Sequence, residues 1–304
     1  MAAPSLPRLS RSTGLGRSAA PLSPLRLCAT LLLAILALQG CKPASYRLEH
    51  QYQSASQDER IAFLILHYTD EDDDHSLRLL TQSPYKVSAH YLVPRTPDRT
   101  PLPVYQLVPD GQRAWHAGRS RWHHQAGLNA SSLGIEIVNL GYDATDAELP
   151  VDARHWQAFT EAQIAAVGEL SQALVARYHI PQTQILAHSD IAPTRKLDPG
   201  PRFPWRRLHL EYGVGAWPDE ERVAKLHAEL AHDPQARWDA ARWQQALARY
   251  GYDLPQSGDW DAPSRDALRA FQLHFRAARV DSEPDGESQA ILMALLEKYH
   301  PPHP

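Results

Sequence analysis

The chain has 304 residues, enough for two modest domains that each bury a core, and its composition is that of a soluble globular protein. Its 31 basic and 35 acidic residues leave a formal charge of −4, so there is no strong field to draw in nucleic acid or an anionic membrane surface. Only Cys28 and Cys41 are present, which excludes a disulfide framework and leaves core burial or a metal to supply stability.

In chain order, Arg8, Arg11, Arg17 and Arg26 precede the uncharged stretch LCATLLLAILALQG, residues 27–40. It is too short to span a bilayer as a helix but suits the core of a secretory signal. Leu38, Gly40 and Cys41 resemble the lipobox of bacterial lipoproteins, which implies that Cys41 carries lipid and becomes the mature N-terminus. A plain secretory signal cleaved nearby is the alternative. Residues 1–40 are therefore read as the signal and 41–59 as a polar tether to a membrane. Lys42 stands where the lipoprotein resemblance associates Asp with inner-membrane retention, which favours the periplasmic face of the outer membrane.

From Ile61 strand-like and helix-like segments alternate. IAFLILH (61–67) is an apolar run suited to a strand buried on both faces, and HYLV (90–93), PVYQLV (103–108), GIEIV (134–138) and QILAH (184–188) are further strand candidates. Thr160 with Gln163 forms a capping-box pattern, after which Ile164, Val167, Leu174 and Tyr178 recur on one helical face until Pro181. After the Gly- and Pro-broken stretch at 213–222, residues 220–232, 237–250, 262–276 and 287–299 show amphipathic helical spacing. The expected architecture is α/β, a mixed central sheet flanked by helices, followed by a small all-helical domain. No internal repeat is evident.

Two strand candidates end in histidine, His67 and His188, and strand ends are where an α/β sheet projects side chains into a ligand crevice. Ten residues past His188, in the loop AHSDIAPTRKLDPGPRFPW, Asp198 can return a carboxylate to the same ion. Two nitrogens, one oxygen and a fourth position free for water describe a catalytic rather than a structural zinc arrangement. Each residue has a plainer reading: a satisfied strand-end histidine, or an Asp that opens a turn before Pro199. Glu136 interrupts the apolar GIEIV, either as a solvent-facing position or, beside the histidine strands, as a general base. Lys196 is either an exposed lysine or a fixed charge for an oxyanion. His75, His123, His124 and His155 read as solvated loop residues, and His90 as a hydrogen-bonded core histidine.

These residues, in this order, resemble the zinc-dependent N-acetylmuramoyl-L-alanine amidases, which share a fold with the peptidoglycan recognition proteins. The resemblance rests on ILHYT (65–69), VSAHYLV (87–93), QLVPDGQRAWHAG (106–118), SSLGIEIVN (131–139) and the 187–205 loop, and spans residues 60–213. It implies that His67, His188 and Asp198 bind zinc, that Glu136 is the catalytic acid/base and that Lys196 supports the transition state. It further implies Trp115, His116, Asn129 and Arg195 as substrate contacts in a groove that accepts muramyl peptides. Residues 242–276, with Gly251, Tyr252, Gly258, Trp260, Ser264, Phe271 and Gln272, resemble a three-helix peptidoglycan-binding domain, placed here at 214–300; the alternative is a helical appendage that only packs on the first domain. The expected protein is a monomeric, lipid-anchored cell-wall amidase that uses zinc. A non-catalytic recognition module and a zinc peptidase acting within the stem peptide are the rivals.

Overall fold

The computed structural model describes residues 45–95 and 101–301. Cys41 and the signal segment lie outside the described residues, none of whose helices is long and apolar enough to cross a membrane. Residues 45–57 contain no helix or strand, and the described residues from Asp58 onward form one compact unit.

Its elements in chain order are β1 Phe63–Tyr68, α1 Asp73–Thr81, β2 Tyr91–Val93, β3 Tyr105–Gln106, β4 Arg121–Trp122, β5 Gln125–Ala126, β6 Ser132–Ile137, α2 Glu161–Tyr178, β7 Ile185–Ala187, α3 His188–Ile191 and α4 Trp205–Tyr212. Four further helices follow: α5 Glu220–His232, α6 Ala240–Tyr250, α7 Ala262–Phe275 and α8 Gly286–Tyr299. The main sheet has the order β3-β2-β6-β1-β7, with β1 parallel to β6 and β7, β2 parallel to β6, and β3 antiparallel at the edge. It is the mixed sheet expected, with a helical C-terminal region.

The apolar run of β1 is buried on both faces. Leu64 and Leu66 pack with Leu133, Ile135 and Ile137 of β6 and with Ile164, Val167 and Leu174 of α2. Phe63 and Ile65 point the other way, into a cluster that includes Trp122, Trp243, Leu247, Phe271 and Leu292. The C-terminal helices thus share a core with the sheet. Helix α2 carries the anticipated capping box between Thr160 and Gln163. The acidic run after β1 opens a helix: Asp72 accepts from the His75 amide, and Asp73 and Asp74 occupy the first turn, where negative charge is favoured. Of PVYQLV only Tyr105 and Gln106 pair as a strand, because the Leu107 amide turns to donate to the His90 carbonyl.

An internal repeat is present after all. The Gln244 amide on α6 accepts from the Gly258 N–H and donates to the Asp259 carbonyl, while Asp261 caps α7 through the Ser264 N–H. Gln272 on α7 likewise accepts from the Ser282 N–H and donates to the Glu283 carbonyl, and Asp285 caps α8 through the Ser288 N–H. Ser282 has φ 63° where Gly258 has φ 80°, so the second loop takes the same left-handed turn without glycine. That substitution, with a shorter loop, hid the repeat from the sequence.

Candidate metal centre and catalytic cavity

The site is built at the C-terminal ends of three parallel strands. Along β1 the pleat alternates, so His67 follows Phe63 and Ile65 on one face, and the β1–β6 register sets it directly beside Glu136. Strand β7 ends at Ala187 and His188 opens the short helix α3. Beyond it the proline-rich loop folds back: the Arg195 and Lys196 amides donate to the Ala192 carbonyl, and the Ser189 amide donates to the Asp198 carbonyl at 3.0 Å. That closure returns Asp198 to His188.

Candidate ligand atoms of His67, His188 and Asp198 lie within 4.8 Å of one another, and all three residues are buried. Nδ1 of His67 and Nδ1 of His188 are 3.0 Å apart, and each is 3.0 Å from Asp198 Oδ2. The surrounding hydrogen bonds decide where the protons sit. The Ser132 hydroxyl donates to the Leu128 carbonyl at 2.6 Å, so Ser132 Oγ accepts from His116 Nε2 at 3.2 Å. His116 Nδ1 is then an acceptor for His67 Nε2–H at 3.0 Å, which leaves a lone pair on His67 Nδ1. His188 Nε2 faces the Ala117 carbonyl at 3.2 Å and donates to it, leaving a lone pair on its Nδ1 as well. Two imidazole lone pairs and a carboxylate oxygen converge on one point, a donor set that repels itself until a cation joins it and that suits tetrahedral zinc with one open position. The residues present therefore fit the ion.

Electrostatics agree with neutral imidazoles. Burial pulls the His67 imidazole down to about 4, reinforced by His188. His116 is lowered well below the ordinary range, by burial first and then by its histidine neighbours. Burial opposes ionisation of Asp198, but without a cation a proton donated from His188 or His67 outweighs burial and holds the carboxyl below the usual carboxylate range; a bound cation would take that proton's place.

Glu136 stands next to this cluster with its Oε2 buried and without a hydrogen-bond partner. Burial, and next the Asp198 charge, push its carboxyl well above the ordinary value, against the opposing effect of Lys196. Glu136, Lys196, Asp198 and His188 line one cavity of about 340 Å³, within the range of small-ligand sites. Trp115, half exposed, and Arg195 line it too. Tyr68 lines it as well, a role that nothing in its sequence position beyond its place next to His67 marks; burial, then Asp198 and Asp70, raise its phenol.

The other anticipated contacts are placed differently. His116 reaches the cavity wall, but its ring nitrogens are committed to His67 and Ser132. Asn129 does not line the cavity; its side-chain oxygen accepts from the His116 and Ala117 amides and fixes the AWHAG turn. His90 is fully buried, accepting from the Gly134 amide and donating to the Gln112 carbonyl. His75, His124 and His155 are exposed, whereas His123 is half-buried at the tip between β4 and β5, against the His300 ring.

A family model described as N-acetylmuramoyl-L-alanine amidase matches residues 57–201, and one described as putative peptidoglycan binding domain matches residues 239–292. The chain is 42% identical over 279 residues to N-acetylmuramoyl-L-alanine amidase AmiD of Escherichia coli strain K12, covering 88% of this chain and 97% of AmiD. The solved complex of AmiD from E. coli with the substrate anhydro-N-acetylmuramic acid-L-Ala-D-gamma-Glu-L-Lys superposes with a TM-score of 0.74 at 41% identity, over 85% of this chain and 97% of that one. AMPDH3 from Pseudomonas aeruginosa gives 0.73 at 37% identity, over 86% and 98%. With 42% identity along 97% of AmiD, this chain belongs to the N-acetylmuramoyl-L-alanine amidase family.

Proposed function

We propose that the protein hydrolyses the amide bond between the lactyl carbonyl of N-acetylmuramic acid and the L-alanine of the stem peptide, using zinc held by His67, His188 and Asp198. The observation that carries this reading is the convergence of three lone-pair donors beside a buried, unpartnered carboxylate oxygen of Glu136. When bound, zinc would supply Lewis acidity, which polarises a carbonyl and lowers the pKa of water toward about 7. Glu136 takes the proton of the attacking water at Oε2 and delivers it to the departing alanine nitrogen, so one carboxyl serves as base and then as acid. Lys196, on the same cavity wall, places its ammonium near the oxygen that gains negative charge. Trp115 offers an apolar face to the substrate, and Arg195 a guanidinium for a peptide carboxylate. The Ser132–His116–His67 chain keeps the His67 lone pair turned to the ion.

AmiD and AMPDH3 have each been solved with anhydromuramic peptides, which supports extending the substrate class to such fragments as well as to wall material. We divide the chain into an amidase domain at 60–213 and a helical domain at 214–300, the latter retaining peptidoglycan near the site and the former acting in wall turnover or recycling. Lipid on Cys41 would hold the protein at the periplasmic face of the outer membrane. Amino-terminal labelling of the products tests the reading: a new L-alanine terminus on an intact stem is expected, and a new terminus inside the stem would replace the amidase with a peptidase.

A further inference from the structure

The metal ligands are gripped from the other end of the chain. Asp190, two residues past His188, is fully buried, and its carboxylate accepts three hydrogen bonds. The Ala187 amide donates to Oδ2 at 2.8 Å, which caps the turn carrying His188. The other two donors come from the helical region: the Tyr252 hydroxyl to Oδ1 at 2.6 Å and His274 Nδ1–H to Oδ2 at 2.7 Å. His274 is itself fixed, its ring stacked on Trp205 at 3.8 Å. On the far side of the same turn Arg269 of α7 donates to the Pro193 carbonyl at 2.8 Å. Since the Ser189 amide holds the Asp198 carbonyl, this turn sets the relative position of His188 and Asp198.

We propose that Tyr252 and His274 are positioning residues of the metal centre: by completing the hydrogen bonds of Asp190 they lock the His188–Asp198 turn, so that the helical region is a structural part of the active site as well as a wall-binding attachment. The proposal rests on the zinc reading above. A buried carboxylate that loses a donor must reorient or draw in water, because leaving it underpaired is costly. Reorientation releases the Ala187 amide and lets His188 drift from Asp198, and an entering water replaces a fixed protein donor with a mobile one, which loosens the same turn. Neither Tyr252 nor His274 lines the catalytic cavity, so substrate binding is untouched.

The test compares the full chain with its Tyr252→Phe, His274→Ala and Leu292→Ala variants, the last a fully buried core position with no hydrogen bond to Asp190. Zinc affinity by chelator competition, melting temperature, and kcat and KM on a soluble muramyl tripeptide are measured for each. Tyr252→Phe and His274→Ala are expected to weaken zinc binding about tenfold or more and to lower kcat while KM stays within about twofold. Leu292→Ala is expected to lower the melting temperature with zinc affinity unchanged. Tyr252→Phe and His274→Ala proteins that melt earlier but bind zinc as the wild type does would overturn the proposal; if His274→Ala fails to fold, Tyr252→Phe decides alone. A wild type that binds no zinc overturns the metal reading and this proposal with it.

Discussion

Replacing Gly134 with alanine should weaken zinc binding at the site proposed for His67, His188 and Asp198 without altering any of the three. Gly134 lies in β6 with ordinary extended backbone, so the obstacle is steric: a Cβ there would sit 2.4 Å from His116 Cγ and 2.6 Å from Nδ1. Carbon contacts settle near 3.5–4.0 Å, so the ring must retreat by roughly 1 Å. Its Nδ1 now meets His67 Nε2 at 3.0 Å, and a retreat of that size carries the pair out of hydrogen-bond range. Overpacking costs about 1–3 kcal/mol, and the orphaned His67 N–H about 1–3 kcal/mol more. With its outer partner gone, His67 should hold zinc about 10–100-fold more weakly. Chelator competition and thermal melts of Gly134→Ala, of His116→Ala and of the double variant read out each part. Removing the His116 ring should recover the overpacking part of the stability loss in the double variant, while the unpaired His67 N–H and the low zinc affinity remain. Wild-type zinc affinity in Gly134→Ala would refute the hydrogen-bond chain as the device that orients His67.

Glu136→Gln should cut turnover by at least about 10²-fold while zinc stays bound, measured as kcat and metal content. In the metal-free protein the same variant should gain stability over wild type as pH rises. The native Glu136 pKa lies above its unfolded value, so stability falls with rising pH between the two, and Gln removes that fall; parallel curves would contradict it. His67 has the opposite sign: its pKa drops from 6.5 to about 4, so metal-free protein loses up to about 3 kcal/mol as pH falls through that interval. Urea unfolding at stepped pH checks this, and His67→Gln should flatten the acid limb. Lys196→Met should lower kcat about 10²–10³-fold with little change in KM, which steady-state kinetics decides.

What the sequence makes legible is what local chemistry determines. An apolar run ending in His67, a second ending in His188, and a stretch dense in proline are visible because burial and proline geometry act over a few residues. So is the capping box of α2. The partner choices of single polar atoms are not visible. His116 read as a substrate contact because AWHAG lies near the groove, yet Gly134 and Ser132, on a strand that follows it in sequence, make room for its ring and engage its nitrogens. Asp190 passed unremarked among the charges of its loop, since its partners stand 62 and 84 residues downstream. The repeat in the helical region escaped because Ser282 takes a turn that glycine would mark.

If a zinc centre of His67, His188 and Asp198 cleaves the muramyl–alanine amide, the products must show it. Mass spectrometry of products from a muramyl tetrapeptide tests it most directly, using protein as purified, after chelation, and after zinc is returned. The expected result is release of the intact tetrapeptide, its loss on chelation and its recovery with zinc. Folded, zinc-loaded protein that leaves the substrate whole would contradict it.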